Sequence, residues 1–396
     1  MSSIHLPRTL LAMSAAIALG GYSSSYAEWS YRGDVSAQLQ AFTDKAEHSA
    51  TQSSNVSLSA NAEFNRSVGE NGDITISPFV RIDQHDEQRT HFDFRELLYR
   101  HSLETWEWSA GLGKVFWGVA ESSNIVDIVN QRDAVEGLDA ENKLGQPMIN
   151  LLLLEDWGEI SLYVLPGFRE RTFAGEDGRP RGAFAIDTDN AEYEASNKAS
   201  HIDLAARVSG VVNEWDLGFS AFKGTAREPL IGIPSLRPFY PQISQVGFDV
   251  QATFDSWLLK TETVYRAGKK IDNHARLVSG FEYSFYSIAE SNVDLGIVAE
   301  WLYDDRKDRA DTAFQNDVLL GLRLALNDEQ STDALIGFIK DLDGGATVFT
   351  AEANRRIGES FKLTLEAVVW ADANNDPILQ QFRQEDYVQL EFGYFF

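Results

Sequence analysis

Charged side chains in this sequence recur at every second position of stretches whose other positions are apolar. Arg32 and Asp34 alternate with Tyr31, Val35 and Ala37; Arg81 and Asp83 flank Ile82; Lys260, Glu262 and Arg266 share one phase between Leu259 and Tyr265. Arg207, Arg276, Glu282, Glu300, Arg323 and Lys362 fall in the same kind of pattern. Side chains two apart along a strand point the same way, so each stretch carries one charged face and one apolar face. A wall of both signs holds water and carries solutes past it; it has no need of a nucleophile. Covalent chemistry has little to work with here. There is no cysteine, and no HExxH, GxSxG or glycine-rich phosphate loop. Histidines 48, 85, 91, 101, 201 and 274 lie beside acids in places, as with Asp83, His85 and Asp86 or His91 and Asp93, which would be the raw material of a hydrolase. Asp372, Asn374 and Asp376 are spaced like the start of a calcium loop, but the glycine at its sixth place and the glutamate at its twelfth are missing. No metal and no cofactor is expected.

Two polar stretches carry dense charge. In 118–147, Ser122 or Ser123 is placed to cap a short helix, with Ile125, Ile128 and Val129 on one face and Asp127, Asn130, Gln131 and Arg132 on the other. Glu121, Asp127, Asp133, Glu136, Asp139 and Glu141 outnumber Arg132 and Lys143. In 168–200, Arg169, Arg171, Arg179 and Arg181 form a basic cluster, read as a solvated loop face that could also attract anionic solutes or lipopolysaccharide phosphates.

The elements that position these residues are strands. Trp29 to Ala41 and Asn55 to Asn65 alternate cleanly, and similar segments run to 385–396, for 18 candidate strands with 16 possible. Alternation is weak in 91–103, 148–155 and 332–342. The connections are brief and long by turns: SVGENG, DWGE, NEW and FDSW at one end, and 118–147, 168–200, 226–243 and 372–384 at the other. That asymmetry is the pattern of a bacterial outer-membrane barrel. The nine tryptophans fall near strand ends, where aromatic girdles would meet the two membrane interfaces. Residues 1–27 read as a signal peptide, with Arg8, an apolar core at Leu10 to Gly20, and Ser25-Tyr26-Ala27 before the cut; 28–396 is then one domain. After the signal no run of about 18 apolar residues occurs, so strands must do any spanning. A net charge of −26 and a pI near 4.6 argue against nucleic acid as a partner.

Together the signal, dyad strands, loop asymmetry and final aromatic resemble a Gram-negative outer-membrane protein of the porin type. The fold class implied is all-β, a transmembrane antiparallel up-and-down barrel. In that family the final strand carries an assembly signal of alternating apolar and aromatic residues, matched here by Val388, Leu390, Phe392, Tyr394 and Phe396. The resemblance also implies that the third long connection folds into the channel. Glu121, Asp127, Asn130, Arg132, Asp133 and Glu136 would then line a constriction with a cation preference, unless the segment stays outside as a solvated acidic loop. The expected lumen wall is Arg32, Asp34, Arg81, Asp83, Arg207, Lys260, Glu262, Arg266, Arg276, Glu282, Glu300 and Arg323. Expected partners are outer-membrane lipids and lipopolysaccharide, the barrel-assembly machinery, a small solute and two further copies in a homotrimer. The function implied is a channel for small hydrophilic solutes rather than an enzyme. A transporter for hydrophobic molecules and a barrel hydrolase are the alternatives.

Overall fold

The computed structural model describes residues 28–46, 48, 52–137, 141–232, 234–376 and 378–396. The expected signal peptide, and Asp139, lie outside the described residues. Alternation of apolar and polar side chains resolves into 18 strands: β1 (Ser30–Phe42), β2 (Ser54–Val68), β3 (Gly72–Asp83), β4 (His91–Ser102), β5 (Trp106–Gly113), β6 (Gln146–Glu155), β7 (Gly158–Pro166), β8 (Ile202–Val212) and β9 (Trp215–Thr225). The second half comprises β10 (Gln242–Phe254), β11 (Trp257–Gly268), β12 (His274–Phe285), β13 (Asp294–Asp304), β14 (Asn316–Ala325), β15 (Asp333–Asp341), β16 (Thr347–Ile357), β17 (Phe361–Ala371) and β18 (Tyr387–Phe395). Each pairs antiparallel with its sequence neighbours, and β18 returns to β1 through Asp34↔Phe395 to Phe42↔Tyr387. The sheet is closed and up-and-down. Closure leaves no unpaired edge, which is what lipid demands of a strand protein.

Both expected ends are present. β8 to β9 and β10 to β11 turn over two residues, using Asn213 and Asp255 at positive φ. At the opposite rim 114–145, 167–201 and 226–241 are long, and Glu192–Tyr193, Leu230–Ile231 and Pro238–Tyr240 form a small three-stranded sheet there.

The outer face is apolar and exposed: Val35, Leu39, Val56, Leu58, Phe219, Leu322 and Leu365 all point away from the interior. Such a belt on a protein with 24% charged residues belongs against lipid. Phe392, Tyr394 and Phe396 lie on this face, as the dyad required. Tyr31 packs against Phe396 with ring centroids 6.4 Å apart and the planes tilted by 50°, and Gly33 exchanges two backbone hydrogen bonds of 3.0 Å with Phe396. The girdle expectation holds for Trp29, Trp106, Trp157, Trp215, Trp257 and Trp301, which are exposed. Two tryptophans depart from it. Trp117 and Trp370 are buried on the inner side, where Trp117 packs on Tyr163 and Trp370 on Phe382 and Tyr387.

The weak alternation of β4 has a local cause. A register shift opposite Ser77 and Pro78 leaves Arg95 unpaired beside Glu96, so the inward phase of His91 and Asp93 changes to that of Glu96 and Leu98. The expected strand 107–117 stops at Gly113 because Asn130 takes over the next backbone group, accepting from Val115 N at 2.8 Å.

Candidate functional site in the barrel lumen

The inner wall is not uniformly polar. From β6 to β14 one arc turns apolar residues inward: Met148, Tyr163, Leu165, Phe222, Val264, Val278, Val298, Leu302 and Leu319. Trp117, Ile125, Val126, Ile128 and Val129 of segment 118–147 pack on that arc and are almost wholly buried. The segment therefore lies inside the barrel. The apolar set Ile125, Ile128 and Val129 is buried as its spacing suggested, but not on a helix. Residues 118–137 form turns and extended backbone, and among the described residues there is no α-helix.

Wall carboxylates replace the missing helix bonds. Glu262, fully buried on β11, accepts from Val119 N at 2.6 Å, Ala120 N at 2.8 Å and Val126 N at 3.2 Å. Glu300 on β13 accepts from Glu121 N at 2.7 Å, Ser122 N at 2.8 Å and Ser122 Oγ at 2.5 Å. Ser122, expected as a helix cap, is held by the wall instead. Bonds to a charged acceptor are each worth roughly 1.5–3 kcal/mol. Gly118 sits at φ +108° with Glu262 Oε1 only 2.5 Å from where a Cβ would stand, so glycine is required there.

Five of the six expected constriction residues meet a side-chain or backbone partner. Glu121 accepts from Arg323 at 2.7 Å and faces Lys260 at 3.6 Å, while Arg323 also reaches Glu282 at 3.3 Å. Asp127 pairs with Lys143, and Asn130 donates to Gly113 O and Leu144 O. Glu136 pairs with Arg81 at 2.8 Å, Asp133 with Arg95 at 2.6 Å, and Asp83 with Arg89 at 2.9 Å. Arg207 forms a two-pronged pair with Asp249 at 2.6 and 2.7 Å. Arg132 alone of the set has no carboxylate partner among the described residues; it lines a cleft with Arg171, Arg266, Arg276 and Glu228. Among the described residues His91 does not meet a serine. Its Nε2 faces Asp133 at 3.6 Å and Glu136 at 3.7 Å, carboxylates that Arg95 and Arg81 already neutralise. In the calcium-like stretch Asp376 caps a turn, accepting from Ile378 N and Leu379 N.

Asp133 sets how firmly the segment responds to acid. Despite burial, the facing His91, the charge of Arg95 and a hydrogen bond from Thr172 hold its carboxyl at about 2. A depressed carboxyl stabilises the docked state fully above its ordinary value near 4, and that stability is lost as pH falls from about 4 toward 2. Protection from hydrogen exchange across 127–137, each rate being taken relative to the intrinsic rate at that pH, is expected to persist from pH 7 to 5 and to fall only below about pH 4. Loosening already at pH 6 would count against this pairing.

The basic cluster of 168–200 is not the solvated face its composition suggested. Arg169 pairs with Asp93 at 2.9 Å, while Arg179 and Arg181 are buried. Arg179 reaches the connections that follow β1 and β17, donating to Glu385 at 2.9 Å, Gln52 O at 2.7 Å, Gln384 O at 2.8 Å and Asp44 O at 3.2 Å. Asp86, after β3, accepts from Gly175 N at 3.1 Å. The stretch leaves β7 and crosses the long-loop mouth.

Opposite the apolar arc, the inward residues of β16, β17, β18, β1 and β2 are polar; Ser36, Gln38, Gln40, Asn55, Ser57 and Ser59 are buried among them, and acids outnumber the cations Arg32, Arg356 and Lys362 on the same faces. Glu352 and Glu366 are register partners, Glu391 pairs in register with Gln38, and Asp34 and Glu63 continue the series. Their bonds come from amides, hydroxyls and Arg32: Asn354 to Glu352 at 2.8 Å, Gln389 to Glu366 at 3.1 Å, Gln38 to Glu391 at 3.2 Å, and Arg32 to Glu63 at 2.9 Å. Glu391 follows from the polar phase of the final strand, whereas Glu352 escaped the strand reading; so did Glu228, Arg227 and Arg89, which sit in connections with no period to reveal them.

No family model and no curated relative matches the chain. Among solved structures, the chain is similar at 13% identity and TM-score 0.47 to one described as "Asymmetric conductivity of engineered proteins", over 93% of this chain and all of that one. A triple mutant of Rhodopseudomonas blastica porin gives 12% identity and 0.44 over the same shares. The closed 18-strand register, the apolar outer belt and the charged interior are the chain's own. By fold it is a closed, up-and-down antiparallel β-barrel of 18 strands with an apolar outer belt.

Proposed function

We propose that the barrel is a non-enzymatic channel through which small hydrophilic solutes diffuse, narrowed by the infolded segment 118–147 and favouring inorganic cations over anions. The observation that carries this reading is the division of the lumen. Segment 118–147 fills the apolar side, and the opposite side carries Glu352, Glu366, Glu391, Asp34 and Glu63. Charges lining a confined aqueous path select counter-ions, and weak, repeated contacts let them leave again. The loop acids add less than their number suggests, since each described one is matched by a cation or another donor. A salt gradient across a planar bilayer tests the preference: the reversal potential is expected on the cation side, and one on the anion side would overturn it.

Exposed Phe392, Tyr394 and Phe396 support a second role for β18, as the strand the assembly machinery reads. Removing Phe396 is expected to cut the heat-modifiable, inserted fraction severalfold while leaving the conductance of inserted molecules unchanged. Normal insertion would contradict the role. The lipid-facing belt suits outer-membrane lipid and lipopolysaccharide, and a homotrimer is the assembly proposed within it.

A further inference from the structure

The cleft beside segment 123–132 carries more positive charge than the protein itself balances. Arg266 donates to Glu228 at 2.6 Å and Arg276 lies 3.6 Å from the same carboxylate. Arg276 also approaches Asp304 at 3.8 Å, but that group is held by Arg306 at 2.7 Å. Arg132 and Arg171 also line it, as does Arg227, which pairs with Asp203 at 2.7 Å; among the described residues neither Arg132 nor Arg171 has a carboxylate partner. The Arg171 guanidinium donates to Gln131 Oε1 at 3.5 Å, and one of its terminal nitrogens is buried with no acceptor among the described residues. Asp127 also lines the cleft, but Lys143 claims it. Four guanidinium groups thus converge on one glutamate.

Burial pushes Arg171 down to about 10, with Arg132 as the nearest repelling charge, and the four arginines together hold Glu228 well below the usual carboxylate range. Arginines left without anions in a partly enclosed site are costly unless something supplies the missing charge. The cleft is partly open to solvent, and its enclosed part has room for about one water-sized group, such as one oxygen of a bound anion. Planar guanidinium forks match the paired oxygens of carboxylates and phosphates.

We propose that this cleft binds the oxyanion group of a small solute, a carboxylate or a phosphate, with Arg132 and Arg171 as its unpaired donors and Arg266 and Arg276 behind them. Glu228 orients the two wall arginines without cancelling the site. The proposal goes beyond the channel reading and stands on charge balance alone, so binding is expected whether or not the barrel conducts.

Titration calorimetry on the detergent-solubilised full chain tests it, with inorganic phosphate in one arm and succinate in the other, both in a chloride background. Saturable one-to-one binding of either or both is expected, and the arm that binds identifies the source. Arg171→Gln is expected to weaken binding at least tenfold and Arg132→Gln likewise, with heat-modifiable migration confirming an intact barrel. Should Arg171→Gln fail to assemble, Arg132→Gln reads the same site from the other side. No saturable binding by the unaltered chain in either arm, or binding undiminished by the substitutions that assemble, overturns the proposal.

Discussion

Replacing Glu262 and Glu300 together by alanine is expected to raise single-channel conductance at least twofold and to add large current fluctuations. These two carboxylates accept six hydrogen bonds from residues 119–126. Removing them leaves five backbone N–H groups, two buried and three partly buried, without these acceptors. An unsatisfied buried donor costs roughly 1–3 kcal/mol, so the docked segment would lose several kcal/mol even allowing for non-additivity. The apolar contacts of Ile125, Val126, Ile128 and Val129 would remain, which predicts a segment that moves rather than a barrel that fails. Heat-modifiable migration should be unchanged. Equal conductance in the variant and the parent would mean that the segment does not narrow the path.

Arg179→Ala is expected to open the mouth. Its guanidinium is fully buried between Glu385, three backbone carbonyls and the ring of Phe42, 4.0 Å away. Removing one member of a buried ion pair costs roughly 3–5 kcal/mol, because the other is left stranded. At about 1.4 kcal/mol per tenfold, that raises the open population of the crossing stretch by roughly two to four orders of magnitude. Two measurements would register it: rapid proteolysis within 174–182, and faster entry of a small sugar into proteoliposomes. If the variant resists protease as the parent does, the crossing stretch is held by other contacts and Arg179 is not its latch.

The fold was legible because lipid imposes a rule that sequence cannot hide. A strand facing lipid must keep charge off every second position, and Val388, Leu390, Phe392, Tyr394 and Phe396 obey it with no break. Where the rule lapsed, the reading blurred. Arg95 is an unpaired bulge residue that changes the phase of β4, and Trp117 belongs to a segment leaving the wall for the interior. The lumen residues Lys260, Glu262, Arg266 and Glu300 followed from the same alternation. Their partners did not. Glu262 holding Val119, Arg227 donating to Val129 O and Arg179 reaching Glu385 join stretches roughly 100 to 200 residues apart, and no local pattern encodes such pairings. The helix expected near Ser122 failed for the same reason: its backbone donors are satisfied by distant carboxylates rather than by the preceding turn.

The most direct test of the account is single-channel recording of the purified chain in planar bilayers, beside the Glu262→Ala, Glu300→Ala variant. Discrete ohmic steps for the parent, and larger ones for the variant, are the predicted result. No steps from either protein at any voltage, with insertion verified by heat-modifiable migration, would contradict a hydrated channel narrowed by segment 118–147.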